Sequence, residues 1–193
     1  MNRVIRMFTG VTISAFGIAC VLNSDLGCFV ETATYKGVSI RLGIPLFIAN
    51  IICELIMISI AKWKGEGLGW TAIVNATYGA IMINLFHELL PHMTIMWLGG
   101  FLVPIGWSIL EKARFGATGS NILMKALMKT TGKSLLFIRT IIEITFLITA
   151  WLLAPQYVTW FTITVTFGVP IIMTIVYKLI HYKPTEIEHE FIM

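Results

Sequence analysis

Residues 135–154, LLFIRTIIEITFLITAWLLA, decide the fold class of this 193-residue chain. All but two of them, Arg139 and Glu143, are uncharged. Because a helix needs about 20 mostly apolar residues to cross a bilayer, this stretch predicts a transmembrane helix. Its two charged residues are four positions apart, so they lie on the same face of that helix.

Similar apolar stretches occur along the whole chain and are separated by charged residues, glycines or prolines. We predict six transmembrane spans, at 5–23, 44–61, 69–90, 95–111, 135–154 and 158–180. Residues 24–43 and 112–134 are too long for tight turns and too apolar for solvated loops. We therefore predict a short re-entrant or interfacial helix in each. The expected fold is an all-α polytopic membrane protein, with residues 1–193 forming a single membrane domain.

The composition of the chain agrees with a membrane protein. Hydrophobic residues make up 57% of the sequence, charged residues only 12%, and the mean hydropathy is +0.85. An ordinary soluble domain carries about 25% charged residues, which supply its polar surface. These values exclude a soluble enzyme, a nucleic-acid-binding protein and a disordered tail.

The positions of Lys and Arg predict the orientation in the membrane. With the N-terminus in the cytoplasm, the segments inside hold 11 of the 14 Lys and Arg residues, whereas those outside hold only Lys36 and Arg41. Positive residues concentrate on the cytoplasmic side of membrane proteins. We therefore expect both termini, including a short tail at 182–193, to be cytoplasmic. The net charge of +4 then reflects topology rather than an acidic partner.

The chain also matches itself at an offset of 89 residues without a gap. Five glycine pairs, one lysine pair and one glutamate pair coincide: Gly10 with Gly99, Gly17 with Gly106, Gly27 with Gly116, Gly43 with Gly132, Gly79 with Gly168, Lys36 with Lys125 and Glu54 with Glu143. The glutamate pair is the most informative, because acidic residues are rare within transmembrane spans. The repeats cover about 5–90 and 94–181. Each contains three spans, an odd number, so the second repeat is predicted to be inverted, as in many secondary transporters.

The turn that ends the first span provides a family resemblance. Residues 25–27 (Asp-Leu-Gly), followed by a short helix, Gly43 and a second span, resemble the YczE/YitT group of bacterial integral membrane proteins. Residues 114–116 (Arg-Phe-Gly) are similar to the second-repeat form of this turn. That group often has a proline and an acid after the glycine; here the proline is absent and Glu31 fills the acidic position in the first repeat only. The resemblance implies a protein of the bacterial cytoplasmic membrane that acts in transport or export.

Glu54 and Glu143 are the first candidate site residues, each near the middle of a predicted span. An ionised carboxylate there costs about 2.5–3.5 kcal/mol on insertion scales unless it is paired, hydrated or protonated. Asn50 precedes Glu54 by one turn and leaves its charge without a local partner. Arg139 precedes Glu143 by one turn, and it either pairs with Glu143 or snorkels to the cytoplasmic interface.

The turns that enter the two short helices are the second candidate site. Asp25 and Glu31 in the first turn favour a cation or an amine. In the second, Ser120 or Asn121 is the expected N-cap, and the exposed N–H groups with Arg114 nearby favour a carboxylate or phosphate. Together the two turns can bracket a zwitterion, whereas each turn alone is more typical of ordinary capping.

These features predict a secondary transporter for a small polar or zwitterionic solute, with protons as a candidate coupling ion. The alternatives are a passive aquaporin-like channel and a membrane substrate-binding subunit of a larger, energy-coupling-factor type transporter. No catalytic triad, nucleotide-binding motif or metal-ligand spacing occurs, so we expect neither an enzyme nor a cofactor or metal. The expected partners are membrane lipid and the solute. Glycines in the first and fourth spans permit close helix packing, and we expect a monomer or a homodimer.

Overall fold

A computed structural model describes residues 3–24, 26–65, 70–91, 96–113 and 118–182. Within them the protein is all-α, with eight α-helices, a 3₁₀ turn at Pro155–Tyr157 and no strand. The helices are α1 (Arg3–Leu22), α2 (Val30–Leu42), α3 (Leu46–Trp63), α4 (Trp70–Leu89), α5 (Met96–Ala113), α6 (Gly119–Thr131), α7 (Leu135–Leu153) and α8 (Trp160–Leu179).

Four of these helices are long and apolar enough to cross a membrane. They are α1, α3, α7 and α8, which have 18 to 20 residues and mean hydropathies of 1.7 to 1.9. Helices of this length match the thickness of a bilayer core. The chain is therefore a multi-pass membrane protein.

The predicted elements agree closely with the observed helices. Each of the six predicted spans overlaps one helix, and the ends agree within two residues. Helices α4 and α5, with 20 and 18 residues, correspond to the third and fourth predicted spans. The two predicted short helices are α2 and α6, with 13 residues each.

Helix boundaries recur at the same offset of 89 residues that relates the sequence matches. The N-cap residues of α2 and α6 are Phe29 and Thr118, and both helices end at a glycine in the left-handed conformation, Gly43 (φ 63°) or Gly132 (φ 66°). A left-handed residue after a helix favours glycine, which has no Cβ to clash. The two short helices thus begin and end at positions that match at this offset.

Helices α1 and α5 pack against each other through glycines. A Cβ on Gly10 would lie 2.8 Å from the carbonyl oxygen of Gly106, and a Cβ on Gly106 would lie 2.6 Å from that of Gly10. A Cβ on Gly99 would likewise collide with the carbonyl oxygen of Gly17. The glycines predicted to permit close packing therefore bring two helices of the same chain together.

The short helices lie between the two helices that carry the candidate acids. Helix α2 packs against α3 and α7, and α6 packs against the same two helices. The turn before α2 is fixed to the start of α8, where the Thr159 and Thr162 hydroxyls donate to the carbonyl oxygens of Leu26 (2.7 Å) and Cys28 (2.8 Å). This arrangement brings the first turns of both short helices close to α3 and α7.

Candidate functional site

Arg139 is the centre of the candidate site. It lies in the second turn of α7, and its side chain is fully buried. Its Nη1 donates to Asn121 Oδ1 at 2.8 Å and to Ser120 Oγ at 3.3 Å. Both acceptors lie in the first turn of α6. The alternative in which Arg139 snorkels to the interface is therefore wrong.

The other terminal nitrogen of Arg139 binds two carboxylates. Nη2 lies 2.6 Å from Glu143 Oε1 and 3.0 Å from Glu31 Oε1. The first contact joins residues one turn apart on α7, and the second joins α7 to α2. The guanidinium carbon also lies 4.9 Å from the ring centroid of Trp107, which is within the range of a cation–π interaction.

The capping prediction for α6 is wrong, for a reason that matters to the site. The N-cap is Thr118, which makes no side-chain capping bond, and Ser120 and Asn121 are the second and third residues of the helix. Ser and Asn favour N-cap positions because their side chains can bind free backbone N–H groups. Here both side-chain oxygens accept bonds from Arg139 instead.

Glu54 on α3 has two partners that the sequence did not suggest. Its Oε1 accepts from the hydroxyl of Tyr35 at 3.0 Å, and its Oε2 accepts from the backbone N–H of Gly119. Neither partner belongs to α3, so the expectation that Glu54 has no local partner on its own helix still holds. Free N–H groups at a helix start bind anions, and at α6 the chain's own carboxylate fills that role.

Glycine at position 119 allows this contact. A Cβ there would lie 2.7 Å from the carbonyl oxygen of Glu54, 2.8 Å from its Oε2 and 3.2 Å from Met57 Cβ. The two nearest distances are shorter than real Cβ contacts, and one of the atoms belongs to the α3 backbone. The start of α6 can approach α3 this closely because residue 119 has no side chain.

Helix α2 contacts both Glu54 of α3 and Arg139 of α7 through two of its own residues. Glu31 binds Arg139, and Tyr35, one turn later, binds Glu54. Helix α6 does the same, since its first turn contacts both Arg139 and Glu54. The two short helices thus connect α3 and α7 through polar contacts, in addition to apolar packing of α6 against both helices.

Arg139 and three buried acids, Glu31, Glu54 and Glu143, form a cluster (the Arg139 cluster) that is unbalanced in charge. The acids are each 3–5% exposed, and among the described residues they share one cation, the fully buried Arg139. With all three carboxyls ionised, the cluster is two positive charges short of neutrality. Buried charges that lack a counter-charge are costly, so protons or a bound cation are needed to complete the balance.

A cavity lies next to the cluster, among α1, α2, α3, α4 and α5. It encloses about 920 Å³ of empty space, counting the part that is open to the outside. Glu31, Glu54, Tyr35 and Asn50 contribute polar groups to its wall, and most of the other lining residues are apolar. Two of the three carboxyls, Glu31 and Glu54, therefore line this cavity.

A second ion pair, between the buried Glu111 and the partly exposed Lys125, joins α5 to α6. Lys125 Nζ lies 2.5 Å from Oε2 of Glu111, and the hydroxyl of Tyr182 donates to the same oxygen at 3.3 Å. Burial and the Glu111 charge raise the pKa of Tyr182 to about 12, although Lys125 opposes this rise. Unlike the Arg139 cluster, this pair has one acid and one base.

Comparison with known proteins assigns the chain to a family. A model of a family of unknown function, DUF6198, matches residues 1–185. The chain belongs to this family. No curated protein and no solved structure matches it. The DUF6198 match includes every residue of the Arg139 cluster.

Most of the predicted site residues come together in the DUF6198 fold. Six of them form the Arg139 cluster or bind it: Glu31, Glu54, Ser120, Asn121, Arg139 and Glu143. Asn50 lines the neighbouring cavity. Asp25 and Arg114 lie outside the described residues. No group of three His, Cys, Asp or Glu side chains in the described part of the chain is placed to hold a metal ion.

Sequence reasoning missed Tyr35, Gly119 and Trp107. Tyr35 is one turn after Glu31 on α2, and this spacing was the available signal. Gly119 and Trp107 are recognisable only once α6 is placed against α3 and the Trp107 ring is placed next to Arg139, because their roles depend on packing.

Proposed function

We propose that this protein is a secondary transporter that moves a small polar or zwitterionic solute across the bacterial cytoplasmic membrane, with protons as the coupling ion. The observation that carries the proposal is the group of three buried carboxyls around one arginine, beside a cavity and between two short helices. Ionisable residues inside membrane segments commonly mark substrate or proton pathways.

The proposed architecture has six spans, formed by α1, α3, α4, α5, α7 and α8, with the second repeat inverted. Reciprocal contacts support it: Gly10 meets Gly106 and Gly17 meets Gly99, and the 89-residue offset exchanges these two pairs. A two-fold axis between the repeats produces this exchange. The distribution of Lys and Arg supports cytoplasmic termini. The resemblance to the YczE/YitT group agrees with this plan.

In the proposed mechanism, Glu54 exchanges protons and Glu143 remains ion-paired. Titratable groups approach Glu54 from several elements: Tyr35 and Glu31 of α2, Arg139 of α7, and Cys53 of α3 itself. His87 of α4 lines the same cavity. Protonation of Glu54 removes one of the unbalanced negative charges without leaving a cation unpaired.

Protonation of Glu54 also affects the position of α6. A neutral carboxyl accepts a hydrogen bond less strongly than a carboxylate. The bond from the Gly119 N–H to Glu54 therefore weakens when Glu54 binds a proton, which loosens the first turn of α6 while the apolar packing of Ile122 and Ala126 against α3 remains. This links the charge of the site to the short helix that closes one side of it.

The test uses purified protein in liposomes that enclose a pH-sensitive dye. Amino acids, small carboxylic acids and quaternary ammonium ions are added outside one at a time, and protein-free liposomes correct for solutes that cross the lipid unaided. We expect at least one class to drive proton movement, and an imposed pH gradient to accumulate that class above equilibration.

Two outcomes contradict the proposal. Equilibration of a solute without proton movement or accumulation indicates an aquaporin-like channel. Solute binding with no flux under either gradient indicates a substrate-binding subunit of an energy-coupling-factor type complex.

A further inference from the structure

We propose that the cavity beside the Arg139 cluster binds a small organic cation, an ammonium group that carries apolar substituents. This inference rests on the proposed function and narrows its solute class. The cavity lies among α1, α2, α3, α4 and α5, and it meets the site at Glu31 and Glu54.

Unsatisfied acceptors in the cavity wall are the first observation. Glu31 is 5% exposed, and only its Oε1 is bonded, to Arg139; among the described residues Oε2 has no partner. Thr32, 7% exposed, also lines the cavity, and its hydroxyl has no partner in the described part of the chain. Acceptors that line a mostly apolar cavity and have no donor from the described residues favour a ligand that brings positive charge or an N–H group.

Aromatic rings in the wall are the second observation. Phe29, Tyr35, Phe47 and Trp107 all line the cavity. A cation within about 6 Å of a ring centroid is attracted by the negative face of the ring, and carbon substituents on nitrogen gain from the apolar wall. Rings combined with carboxylates suit an alkylated ammonium better than a hydrated metal ion, which prefers several oxygen ligands.

The charges around the cavity disfavour a zwitterion or an anion. No Lys or Arg lines the cavity in the part of the chain that the structure describes. Arg139 does not line the cavity, and both of its terminal nitrogens already bind Glu31, Glu143, Ser120 and Asn121. The anionic group of a zwitterion in this cavity therefore lies near the carboxyls of Glu31 and Glu54 and has no Lys or Arg of the described residues to pair with.

The test compares three probes of nearly equal shape: choline, its neutral carbon analogue 3,3-dimethylbutan-1-ol, and the anion 3,3-dimethylbutanoate. Binding to the purified full-length chain in detergent is measured by calorimetry and by the rise in melting temperature. We expect choline to bind at least about tenfold more tightly than the neutral analogue, because only choline carries a positive charge that balances the carboxylates. We expect no detectable binding of the anion.

Two variants locate the binding. Glu54→Gln removes one negative charge from the wall but keeps groups that can pair with Tyr35 and Gly119, and it should weaken choline binding about tenfold. Glu88→Gln is the matched control. Glu88 is exposed and bonded to Asn84, and its neutralisation should leave choline affinity unchanged.

The inference is wrong if the neutral analogue or the anion binds as tightly as choline, if none of the probes binds, or if sodium competes equally well at equal concentration. It is also wrong if the two variants weaken choline binding equally. These results are distinct from failure of the proposed transport, because binding in detergent needs no gradient. Selective choline binding without solute-driven proton movement upholds the site and contradicts the transport mechanism.

Discussion

Glu54 and Glu143 occupy equivalent positions in the two repeats, but their surroundings differ. Glu143 has Arg139 one turn before it and forms a 2.6 Å ion pair with that residue. Glu54 has Asn50 at the equivalent position, and its nearest partners are the neutral donors Tyr35 and Gly119. The same residue type is therefore ion-paired in one repeat and only hydrogen-bonded in the other.

This difference separates two roles within one site. Neutralising Glu143 leaves a buried guanidinium with fewer counter-charges, which is unfavourable. Neutralising Glu54 leaves no cation unpaired and reduces the excess of negative charge. A repeat that diverges in this way can keep one acid as a fixed charge and use the other to exchange protons.

The largest expected effect comes from removing the shared cation. Arg139→Met leaves Glu31 and Glu143 buried without a counter-charge and should lower the free energy of unfolding by about 3–5 kcal/mol. Unfolding of the purified protein in detergent by heat or denaturant measures this. Adding Glu31→Gln and Glu143→Gln to the same chain should restore part of the loss. Equal stability of Arg139→Met and wild type would show that the cluster is not ion-paired.

The second prediction compares the equivalent acids directly. Glu143→Gln should destabilise by about 2–3 kcal/mol, because a bond to a charged donor is lost. Glu54→Gln should cost less than about 1 kcal/mol, because the amide oxygen can accept from the Gly119 N–H while the amide nitrogen donates to the Tyr35 hydroxyl. The same unfolding measurements apply. If the two variants are equally stable, the distinction between the acids fails.

The third prediction concerns the close approach of α6 to α3. Gly119→Ala places a Cβ against the α3 backbone and should cost about 1–2 kcal/mol, within the range for overpacking. Gly168→Ala in α8 is the matched control, since a Cβ there has no neighbour within 4 Å. The control should be neutral or slightly stabilising, because alanine favours helix. A neutral Gly119→Ala would mean that α6 is not held against Glu54.

The smallest expected effect is at the balanced pair of Glu111 and Lys125. Because the pKa of Tyr182 is raised to about 12 in the folded state, the folded chain keeps this proton at a pH where the unfolded chain has lost it. The contribution of Tyr182 to the free energy of unfolding is therefore fully present below about pH 10, and it is lost as the pH rises towards 12. Tyr182→Phe should remove this part of the fall in stability at alkaline pH. It should also lower the free energy of unfolding by about 0.5–1.5 kcal/mol at neutral pH, because a hydrogen bond is lost. An unchanged alkaline profile would contradict the raised pKa that burial and the Glu111 charge give Tyr182.

The helices could be predicted from the sequence because apolar length is a local property. The same holds for the ion pair of Arg139 and Glu143, which needs only the spacing of one helical turn. The contact between Glu31 and Arg139 spans 108 residues and depends on how α2 packs against α7. The offset of 89 residues suggested that the acids share a site but did not specify their partners.

The incorrect cap of α6 and the missed partners of Glu54 have a common cause. The prediction of Ser120 or Asn121 as N-cap, and of a Glu54 without a local partner, depends on neighbours along the chain alone. In the fold, the side chains of Ser120 and Asn121 accept hydrogen bonds from the buried Arg139. The free N–H group of Gly119 donates a hydrogen bond to Glu54. Tertiary contacts of this kind override local capping preferences.

The central claim, that Glu54 carries the coupling proton, is tested most directly by solute-driven proton movement in liposomes containing Glu54→Gln. The solute used is the one that moves most protons with wild-type protein, and exchange of labelled for unlabelled solute is followed in parallel. We predict that Glu54→Gln abolishes proton movement and gradient-driven accumulation but still exchanges solute. Full coupling in Glu54→Gln would contradict the account and leave Glu54 as a residue that only joins α3 to α2 and α6.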